Sequence, residues 1–454
     1  MDYRNRRVLV VGLARSGIAA AQLLVKHGAR VTVNDSKTAE TLGEALRPLK
    51  DLPLAERLGC AAGDLLPEGF DDLVISPGIP DTAPFVVKAK EMGIRVIGEL
   101  ELASELTPGL MVAVTGTNGK TTTVSLLGEM FRNSGKKTYV VGNIGEPYSG
   151  AGLTASAEDV CVVEVSSFQM ETVETFHPAA AAFLNLTEDH LNRHGTMENY
   201  ARLKMRVFEQ QTADDYAVFN GDDPLLQPYI GRVKSRVLLF SRKLEPEEGA
   251  FVRAGTVILR LNGKETPVCA AGEIYIPGPH NLENALAAVC VAGCQGVPAE
   301  VMAHTLRTFR GVEHRIEFVR ELEGVRYIND SKGTNVDSTI KAVQTMDRPT
   351  AIILGGYDKH CDFTPLAREM LAAPCIREAV IIGATGDQID STLRREGFER
   401  ITRADSLEAA VDVCRSLASE GWNVLLSPAC ASFDMFSDYE ARGRIFKELV
   451  NRLR

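Results

Sequence analysis

The chain has 454 residues, of which 45% are hydrophobic and 24% are charged. At the ~100–200 residues typical of one domain, this length predicts about three domains with ordinary cores, and the composition excludes a disordered chain or a small disulfide scaffold. Asp and Glu outnumber Lys and Arg by 60 to 50, which gives a formal net charge of −10. Proteins that bind nucleic acid by neutralising phosphates need the opposite balance or a basic patch, so we expect no nucleic-acid partner.

The cysteines and the apolar runs predict a cytoplasmic protein without structural zinc. Nine cysteines are scattered without a C-x-x-C pair, and Cys161, Cys290 and Cys430 lie in apolar runs, where a buried thiol acts as a small hydrophobe. The first apolar run ends at Gly12 and is too short for a secretory signal. No stretch approaches the roughly 20 apolar residues that span a bilayer, so we expect no membrane span.

Short β-branched runs alternate with helical stretches, a pattern typical of parallel sheets covered by helices on both faces. The predicted strands lie in the runs RRVLVVG, ARVTVND, DDLVISPG, LMVAVTG, KTYVVGN, DVCVVEVSS, AAAAFLNLT, DYAVFNGD, GVRYIND, AIILGG, EAVIIGA and NVLLSPA. This pattern predicts an α/β fold. Between about 236 and 276, RVLLFS, FVRAGTVILRL and EIYIPG follow one another without helices and predict an antiparallel excursion.

Changes in local pattern predict two joints between domains. The first lies near residues 98–109, where GELELASELTPG contains the helix-ending pair Pro108-Gly109, and the second lies near residue 311. The predicted domains are therefore residues 1–98, 99–311 and 312–454.

The strongest motif is VAVTGTNGKTTT at residues 112–123, in which a strand leads into a glycine turn, a lysine and an apolar helix. Backbone N–H groups of such a turn cradle phosphate, Lys120 reaches the β- and γ-phosphate oxygens, and Thr121 or Thr122 can bind Mg²⁺. The motif departs from the general P-loop pattern because Val114 stands where the first glycine is usual. The alternative is a glycine turn that merely ends a strand, which the coincidence of strand, lysine, hydroxyls and helix disfavours.

A second glycine turn lies near the amino terminus, in VLVVGLARSGIAAAQLL. Gly12, Ala14 and Gly17 occupy the positions of a dinucleotide-binding G-x-G-x-x-G, and Asp35 closes the second strand at about the expected spacing. Ala14 replaces the glycine that lets the backbone approach a pyrophosphate, which argues against NAD. A helix N-terminus can still hold a diphosphate, so a nucleotide-diphosphate site and a structural turn both stay open.

Charged residues follow the next two predicted strands. Glu164 lies among the apolar residues of DVCVVEVSSFQME, where a carboxylate is costly to bury unless it is paired or binds a metal. In NLTEDHLNRHG, His190 is a candidate ligand of Mg²⁺ or of a substrate carboxylate, whereas the pattern favours a solvated side chain for His194. Lys204 follows on a predicted helix, where residue type alone favours a surface charge.

Five later motifs are rich in polar residues. They are GPHNLENALAAV (278–289), VEHR (312–315), YINDSKGTN (327–335), LGGYDKHCDF (354–363) and LLSPACASFDMF (425–436). Four of the five flank the ends of predicted strands or helices, where α/β folds place ligand loops. Lys332 and Arg315 are candidate anion contacts, although each motif taken singly also fits an ordinary loop.

Taken together, these motifs resemble the ATP-dependent Mur ligases of peptidoglycan precursor synthesis. The resemblance runs through GTNGKTT, GNIG (142–145), EVSSFQ, NLTEDHL, HNLENALAA, EHR, NDSKGTN and SPACASFD. The short GLARSG start and the SPACASFDMF ending are similar to the branch that adds D-glutamate. The resemblance implies a Rossmann-like amino-terminal domain, a central P-loop ATPase-like domain and a Rossmann-like carboxyl-terminal domain in a bacterial cytoplasmic enzyme.

The family's reaction implies the ligands. ATP phosphorylates the carboxylate of UDP-N-acetylmuramoyl-L-alanine, and the amine of D-glutamate then attacks the acyl phosphate, so that an amide, ADP and phosphate are formed. By resemblance, the catalytic residues are Lys120, Asn143, Glu164, His190 and Lys204. Two Mg²⁺ sites are implied, one at Thr121 and Glu164 and the other at His190 and Lys204, with Lys204 carried as its N-carbamate. Neither NAD nor zinc is expected.

The resemblance also assigns the binding residues. Those for ATP are Gly116, Thr117, Asn118, Gly119, Lys120, Thr121, Thr122, Asn284, Arg315 and Asp330. Those for the UDP substrate are Gly12, Ala14, Arg15, Ser16, Gly17, Asp35, Ser36 and Asn143. Those for D-glutamate are Lys332, Thr334, Lys359, Ser432 and Phe433.

Three other functions compete with this interpretation. A sister Mur ligase or a folylpolyglutamate synthase shares the ATP chemistry, but the D-N-P-R motif typical of the enzymes that add a diamino acid is missing from this sequence. An oxidoreductase based on the first glycine turn leaves the P-loop unexplained. A non-enzymatic nucleotide switch would not require Glu164 or Lys332, so their presence disfavours this function.

Overall fold

The computed structural model describes residues 1–357 and 361–454, which form three β-sheets with flanking helices. These residues divide into two compact units, one of Met1–Tyr275 with Leu282–Phe309 and the other of Ile276–Asn281 with Arg310–Arg454. The first unit holds two sheets and the second unit holds the third, and the predicted α/β class is confirmed. The domain boundaries near residues 98 and 311 stay predictions. Across the described part of the chain, no helix is both long and apolar enough to cross a membrane.

The first sheet is parallel throughout, with the order β3-β2-β1-β4-β5. Its strands are β1 (Arg7–Val11), β2 (Arg30–Asp35), β3 (Ala55–Leu58), β4 (Asp72–Ile75) and β5 (Arg95–Gly98). Its helices are α1 (Arg15–Lys26), α2 (Ala39–Leu42), α3 (Ala62–Leu65), α4 (Pro84–Glu91) and α5 (Glu99–Leu106). The strand order reverses direction between β1 and β4, and such a switch point is where open α/β sheets bind ligands.

The second sheet has nine strands in the order β14-β13-β12-β11-β10-β9-β6-β8-β7. They are β6 (Leu110–Thr115), β7 (Thr138–Gly142), β8 (Val160–Glu164), β9 (Ala180–Phe183), β10 (Tyr216–Asn220), β11 (Arg236–Ser241), β12 (Gly249–Arg253), β13 (Thr256–Leu261) and β14 (Lys264–Ala270). The helices are α6 (Lys120–Asn133), α7 (Tyr148–Gly152), α8 (Leu191–His194), α9 (Met197–Met205), α10 (Gln227–Ile230), α11 (Pro279–Cys294) and α12 (Ala299–Thr308).

The antiparallel part of this sheet is shorter than the sequence predicts. The strand β11 pairs in parallel with β10 and with β12, and only β12, β13 and β14 pair antiparallel. The predicted strand EIYIPG is wrong, because a 3-10 turn at Ala271–Glu273 follows β14 and no strand includes this segment. Alternating apolar residues indicate a strand but do not indicate the direction of its neighbour.

The third sheet has the order β15-β16-β20-β17-β18-β19, with only β15 and β16 antiparallel. Its strands are β15 (Glu317–Leu322), β16 (Val325–Asn329), β17 (Thr350–Leu354), β18 (Ile376–Ile381), β19 (Ile401–Arg403) and β20 (Asn423–Leu426). Its helices are α13 (Val336–Thr345), α14 (Thr364–Ala372), α15 (Gly386–Glu396), α16 (Leu407–Leu417) and α17 (Tyr439–Arg452).

The central strands of each sheet are buried on both faces, which explains their continuous apolar runs. Every residue of β8, β9 and β17 is buried. The thiols of Cys161, Cys290 and Cys430 are buried and free, as the apolar runs around them predict.

Candidate active site

The P-loop connects β6 to α6 with a backbone that requires glycine at two positions. Gly116 and Gly119 have φ values of 152° and 83°. A Cβ on Gly119 would lie 2.3 Å from Asn284 Oδ1, and a Cβ on Gly116 would lie 3.1 Å from the Cβ of Leu184. The helix begins at Lys120, so the amides of its first turn point toward the turn, as in phosphate-binding loops.

Two lysines converge on one carbonyl of this loop. Lys120 Nζ donates to the carbonyl oxygens of Gly116 and Thr117 at 2.9 and 2.7 Å. Lys204 Nζ donates to the carbonyl oxygen of Gly116 at 2.7 Å and lies 4.6 Å from the ring centre of Tyr200. Two lysine side chains thus meet at the carbonyl oxygen of Gly116.

The surface position that residue type favours for Lys204 is wrong. Lys204 is 1% exposed, because α9 packs this face against the P-loop. Burial, and then the positive charge of Lys120, hold the pKa of Lys204 well below its ordinary value. A buried amine with these neighbours is disfavoured as an ammonium ion.

Glu164 is the last residue of β8, and it receives hydrogen bonds from two other predicted site residues. Thr121 Oγ1 donates to Glu164 Oε2 at 2.9 Å, and Asn143 Nδ2 donates to Oε1 at the same distance. Only 3% of Glu164 is exposed. The sequence prediction is confirmed in placing a buried carboxylate here, and tertiary structure supplies the hydroxyl and the amide that hold it.

His190 occupies a constrained turn after β9. Its φ is 54°, a left-handed conformation that is uncommon outside glycine, and its amide donates to Asp189 Oδ1 at 2.9 Å. Its Nε2 lies 3.5 Å from Asp189 Oδ2, and its ring centre lies 4.8 Å from that of Phe168. The imidazole is therefore positioned by its backbone, by a carboxylate and by an aromatic ring.

The solvated position predicted for His194 is wrong. His194 is 5% exposed, its Nε2 makes a 2.9 Å hydrogen bond with Ser167 Oγ, and its ring stacks on Tyr200 at 5.3 Å. Burial lowers its pKa to about 4, which keeps the imidazole neutral. The short helix α8 turns this side chain inward, and residue type alone does not show that turn.

Some residues that hold the P-loop escape sequence reasoning. Asn118 N donates to Asn185 Oδ1 at 2.8 Å, and Asn185 Nδ2 donates back to the carbonyl oxygen of Asn118 at 3.0 Å. Thr117 Oγ1 donates to the carbonyl oxygen of Thr187 at 3.1 Å. Both partners lie in NLTEDHL, immediately after β9, so their position at the carboxyl end of a neighbouring strand is the signal that points to them.

The remaining ATP candidates of the first unit lie beside the same loop. Asn284, on α11, places its Oδ1 3.4 Å from Thr123 Oγ1, and Thr122 lies buried in the first turn of α6. The structure therefore brings Asn284 to the P-loop from a segment more than 150 residues away in the sequence.

The amino-terminal turn has the geometry of a nucleotide-binding turn but few charged groups. Gly12 has a φ of 89°, and a Cβ there would lie 2.7 Å from Ser76 Oγ. A Cβ on Gly17 would lie 1.9 Å from the carbonyl oxygen of Gly12, so glycine alone permits this contact between α1 and the turn after β1. The carboxylate of Asp35 accepts the amides of Leu13 and Lys37 at 2.8 and 2.9 Å.

The other predicted residues of this turn lie at its surface. Ala14, Arg15 and Ser36 are exposed and Ser16 is half-buried. Helix α1 begins at Arg15 and has no side-chain cap. Its first amides thus face the same opening as these exposed residues, which suits a bound diphosphate.

In the second unit, Asp330 is fully buried near Arg315. Arg315 Nη1 lies 3.9 Å from Asp330 Oδ1, and Ser427 Oγ donates to Oδ2 at 2.7 Å. Burial raises the pKa of Asp330 to about 6, although the charge of Arg315 acts against that shift. These two predicted nucleotide contacts are brought together.

The predicted D-glutamate residues lie on two loops of the second unit. Lys332 lies on the loop after β16, 5.3 Å from the ring centre of Tyr439, and Thr334 N donates to its carbonyl oxygen at 2.9 Å. Ser432 is buried and Phe433 is 66% exposed on the loop after β20. Lys359 lies outside the described residues.

A buried arginine joins these two loops and escaped sequence reasoning. Arg442, on α17, is 1% exposed and donates to the carbonyl oxygens of Ser331 and Cys430 at 2.8 and 3.1 Å. Its guanidinium therefore fixes the loop after β16 against the loop after β20. A helical arginine far along the chain carries no local signal of such a role.

Family models match three successive parts of the chain. They are the Mur ligase MurD-like N-terminal domain at residues 6–98, the Mur ligase middle domain at residues 114–292 and the Mur ligase glutamate ligase domain at residues 314–430. The chain belongs to the Mur ligase family. The predicted resemblance is confirmed, whereas the individual roles of the site residues in this Mur ligase stay predictions.

Curated relatives match this Mur ligase along its whole length. A UDP-N-acetylmuramoylalanine–D-glutamate ligase of Caldanaerobacter subterraneus subsp. tengcongensis is 48% identical over 456 residues, covering 100% of both chains. The protein of the same name from Clostridioides difficile is 42% identical, again with full coverage of both.

Solved structures share the fold of this Mur ligase. MurC from Thermotoga maritima has a TM-score of 0.62 at 19% identity, covering 98% of this chain and 99% of its own. A MurF structure from Acinetobacter baumannii has a TM-score of 0.63 at 16% identity, covering 98% and 91%. A MurF ligase from Thermotoga maritima, solved in complex with ADP, has a TM-score of 0.60 at 17% identity, covering 100% and 97%.

Proposed function

We propose that this Mur ligase joins D-glutamate to UDP-N-acetylmuramoyl-L-alanine at the expense of ATP, in peptidoglycan precursor synthesis. The observation that carries the proposal is the end-to-end identity of 42–48% with relatives named for this reaction. The geometry of the P-loop, with Lys120, Lys204 and Glu164 around it, supports the phosphoryl-transfer part of the reaction. ATP and UDP-linked precursors are compounds of the cytoplasm, where we place the activity.

The reaction begins when a carboxylate oxygen of the alanyl group attacks the γ-phosphorus of ATP and the bond to the β,γ-bridging oxygen breaks. Negative charge is spread over the phosphoryl oxygens in this step, so positioned positive charge provides most of the stabilisation. Lys120 is the cation that we assign to the β- and γ-oxygens. Its hydrogen bonds to Gly116 and Thr117 place its ammonium group at the centre of the loop.

The amine of D-glutamate then attacks the carbonyl carbon of the acyl phosphate, and the tetrahedral intermediate collapses with loss of phosphate. The amine must lose a proton to form the amide. We assign Asn143 to the reacting end of the UDP substrate, because its amide group is held by Glu164 at the end of β8. Lys332, Thr334, Ser432 and Phe433, with Lys359, are the residues that we assign to D-glutamate, whose two carboxylates suit cationic contacts.

The residues of the site fit Mg²⁺, which binds hard oxygen ligands. Thr121 and Glu164 are the residues that would hold one ion, and their oxygens already lie 2.9 Å apart in a buried, polar corner. His190, together with a modified Lys204, would hold a second ion. When bound, Mg²⁺ supplies positive charge that offsets the charge developing on the phosphoryl and carbonyl oxygens.

Lys204 suits the N-carbamate that the family resemblance implies. Carbamylation requires the neutral amine, which attacks the carbon of CO₂ and releases a proton. The buried surroundings of Lys204 and the charge of Lys120 favour that neutral amine. The product is a carbamate, whose negatively charged oxygens resemble those of a carboxylate. These oxygens can bind a metal ion, whereas an ammonium group cannot.

The proposal is tested by phosphate release from ATP with UDP-N-acetylmuramoyl-L-alanine and, separately, D-glutamate, L-glutamate, L-alanine or meso-diaminopimelate. We expect release with D-glutamate alone. Release with another amino acid instead would keep the mechanism and assign the chain to a sister ligase. No phosphate release with any of the four amino acids would overturn the proposed function.

A further inference from the structure

Arg193 lies in α8, close to the proposed metal side chain of His190, and its guanidinium pairs with a nearly buried carboxylate. Its Nε and Nη2 donate to Glu171 Oε1 and Oε2 at 3.1 and 2.6 Å. The side chain of Arg193 is 20% exposed and that of Glu171 is 9% exposed. A bidentate pair with this little exposure has a defined geometry, unlike a mobile pair at the surface.

The same guanidinium contacts the loop that follows β4 of the first sheet. Its Nη1 and Nη2 donate to the carbonyl oxygens of Gly78 and Ile79, each at 3.4 Å. These carbonyls belong to the loop after β4, and Ser76 of that loop donates its hydroxyl to the carbonyl oxygen of Gly12 at 2.8 Å. Arg193 therefore contacts the loop that supports the proposed diphosphate turn.

On its other side, Arg193 is linked to both residues proposed for the second metal. The Phe168 ring lies 5.0 Å from the guanidinium and 4.8 Å from the ring of His190. Glu171 Oε1 lies 3.9 Å from His194 Nδ1, which connects the ion pair to a second aromatic contact.

The ring of His194 is in turn connected to Lys204 through Tyr200. The His194 ring stacks on Tyr200, with ring centres 5.3 Å apart and an interplanar angle of 20°. Lys204 Nζ lies 4.6 Å from the centre of the Tyr200 ring on the helix that follows. Packed side chains of this kind transmit displacement because the interior has few voids.

We propose that Arg193 is a positioning residue that couples the loop supporting the UDP-substrate turn to the placement of His190 and Lys204. Among the described residues, its contacts are with Glu171, Phe168 and the Gly78–Ile79 carbonyls, through which it acts. The inference rests on the proposed function, since it concerns the metal side of that site.

The test compares Arg193→Ala and Arg193→Lys with the unchanged full-length protein. Removal of a residue that orients metal ligands typically costs about 10–100-fold in metal affinity or activity. We expect a loss of kcat in this range for Arg193→Ala, a higher Mg²⁺ requirement, and little change in the KM for ATP. Arg193→Lys keeps the charge but loses the bidentate geometry, so it should recover only part of the activity.

Arg202→Ala is the matched control, because Arg202 is exposed on α9 and its side chain donates to Asn199 of the same helix. Should Arg193→Ala fail to fold, Glu171→Gln removes the charge of the partner at constant shape and should reproduce the kinetic defect. A loss of thermal stability with unchanged kcat and unchanged Mg²⁺ requirement would overturn the inference in favour of a purely structural ion pair.

Hydrogen exchange of the substrate-free protein tests the coupling without any turnover. Arg193→Ala should increase amide exchange both in residues 76–80 and in residues 188–196, whereas Arg202→Ala should leave both segments unchanged. Faster exchange in residues 188–196 alone would overturn the coupling between the sheets. If the protein without substitutions were inactive with every substrate, the proposed function would be wrong. The hydrogen-exchange result would still decide whether Arg193 couples the two segments.

Discussion

The molecule uses the same backbone device twice, at Gly12 in the first sheet and at Gly116 in the second. Each turn joins a buried strand to a helix N-terminus, and each requires a glycine with positive φ. Two lysines donate to the carbonyl oxygen of Gly116, and the buried Glu164 accepts from Thr121 in the helix that follows. The Gly12 turn, by contrast, is held by the carboxylate of Asp35 through backbone amides.

The difference separates holding a phosphate from transferring one. A helix N-terminus and backbone amides suffice to bind a diphosphate that does not react. Phosphoryl transfer additionally requires positive groups whose interaction with the phosphoryl oxygens is strongest in the transition state. Burial strengthens this interaction because water is excluded. The contrast predicts that damage at the second turn lowers kcat and damage at the first turn raises the KM for the UDP substrate.

The largest effect should come from Lys120→Ala. Loss of one positioned donor to a developing charge costs about 10²–10³-fold in kcat, and we expect this range in steady-state phosphate release. Lys136→Ala is the control, since Lys136 is exposed just beyond the end of the same helix. If Lys120→Ala were about as active as the control, Lys120 would have no role in phosphoryl transfer. The proposed difference between the two glycine turns would then be wrong.

Lys204→Ala should reduce kcat by about 10²-fold, at the upper end expected for a disrupted metal site. If the carbamate carries the function, a short-chain carboxylate such as acetate should restore part of the activity, while Lys120→Ala should not respond. Intact-mass measurement should detect the carbamate when the protein is kept under CO₂. An unmodified lysine together with no rescue would contradict the carbamate.

Gly12→Ala should act mainly on the UDP substrate. The new Cβ meets Ser76 Oγ at 2.7 Å in a backbone conformation that disfavours a side chain, and such overpacking destabilises by about 1–3 kcal/mol. We expect the KM for the UDP substrate to rise about tenfold, or ~1.4 kcal/mol of binding free energy, with kcat nearly unchanged. Gly43→Ala controls for positive φ, because nothing lies within 4 Å of its Cβ; equal effects of the two variants would exclude the steric explanation.

The smallest effect concerns His194, which is neutral in the folded protein because burial lowers its pKa to about 4. An unfolded histidine has a pKa of about 6.5, so the unfolded chain binds the proton first as the pH falls. The free energy of unfolding should therefore decrease from about pH 6.5 down to about pH 4 through this residue. Thermal melts of His194→Gln should show a weaker dependence over this window, and an identical slope would contradict the assignment.

The strands that sequence reasoning missed share one physical cause. The strands that no predicted run covers, β3, β5, β14, β15 and β19, all lie at sheet edges. Edge strands are buried on fewer sides, so they lack the continuous apolar run that reveals a central strand. β3 and β14, for example, consist mostly of exposed or half-buried residues.

The sequence by itself determined the α/β class, the central strands and the two glycine turns, because these depend on local periodicity and on residues that permit one backbone conformation. It also revealed the family through motifs that are contiguous in the chain. The tertiary structure alone decided that Lys204 and His194 are buried, and that Asn284 meets Gly119 across the chain. The contacts of Arg193 and Arg442 were likewise not predictable from the sequence. A long charged side chain pairs with residues that only folding brings close to it.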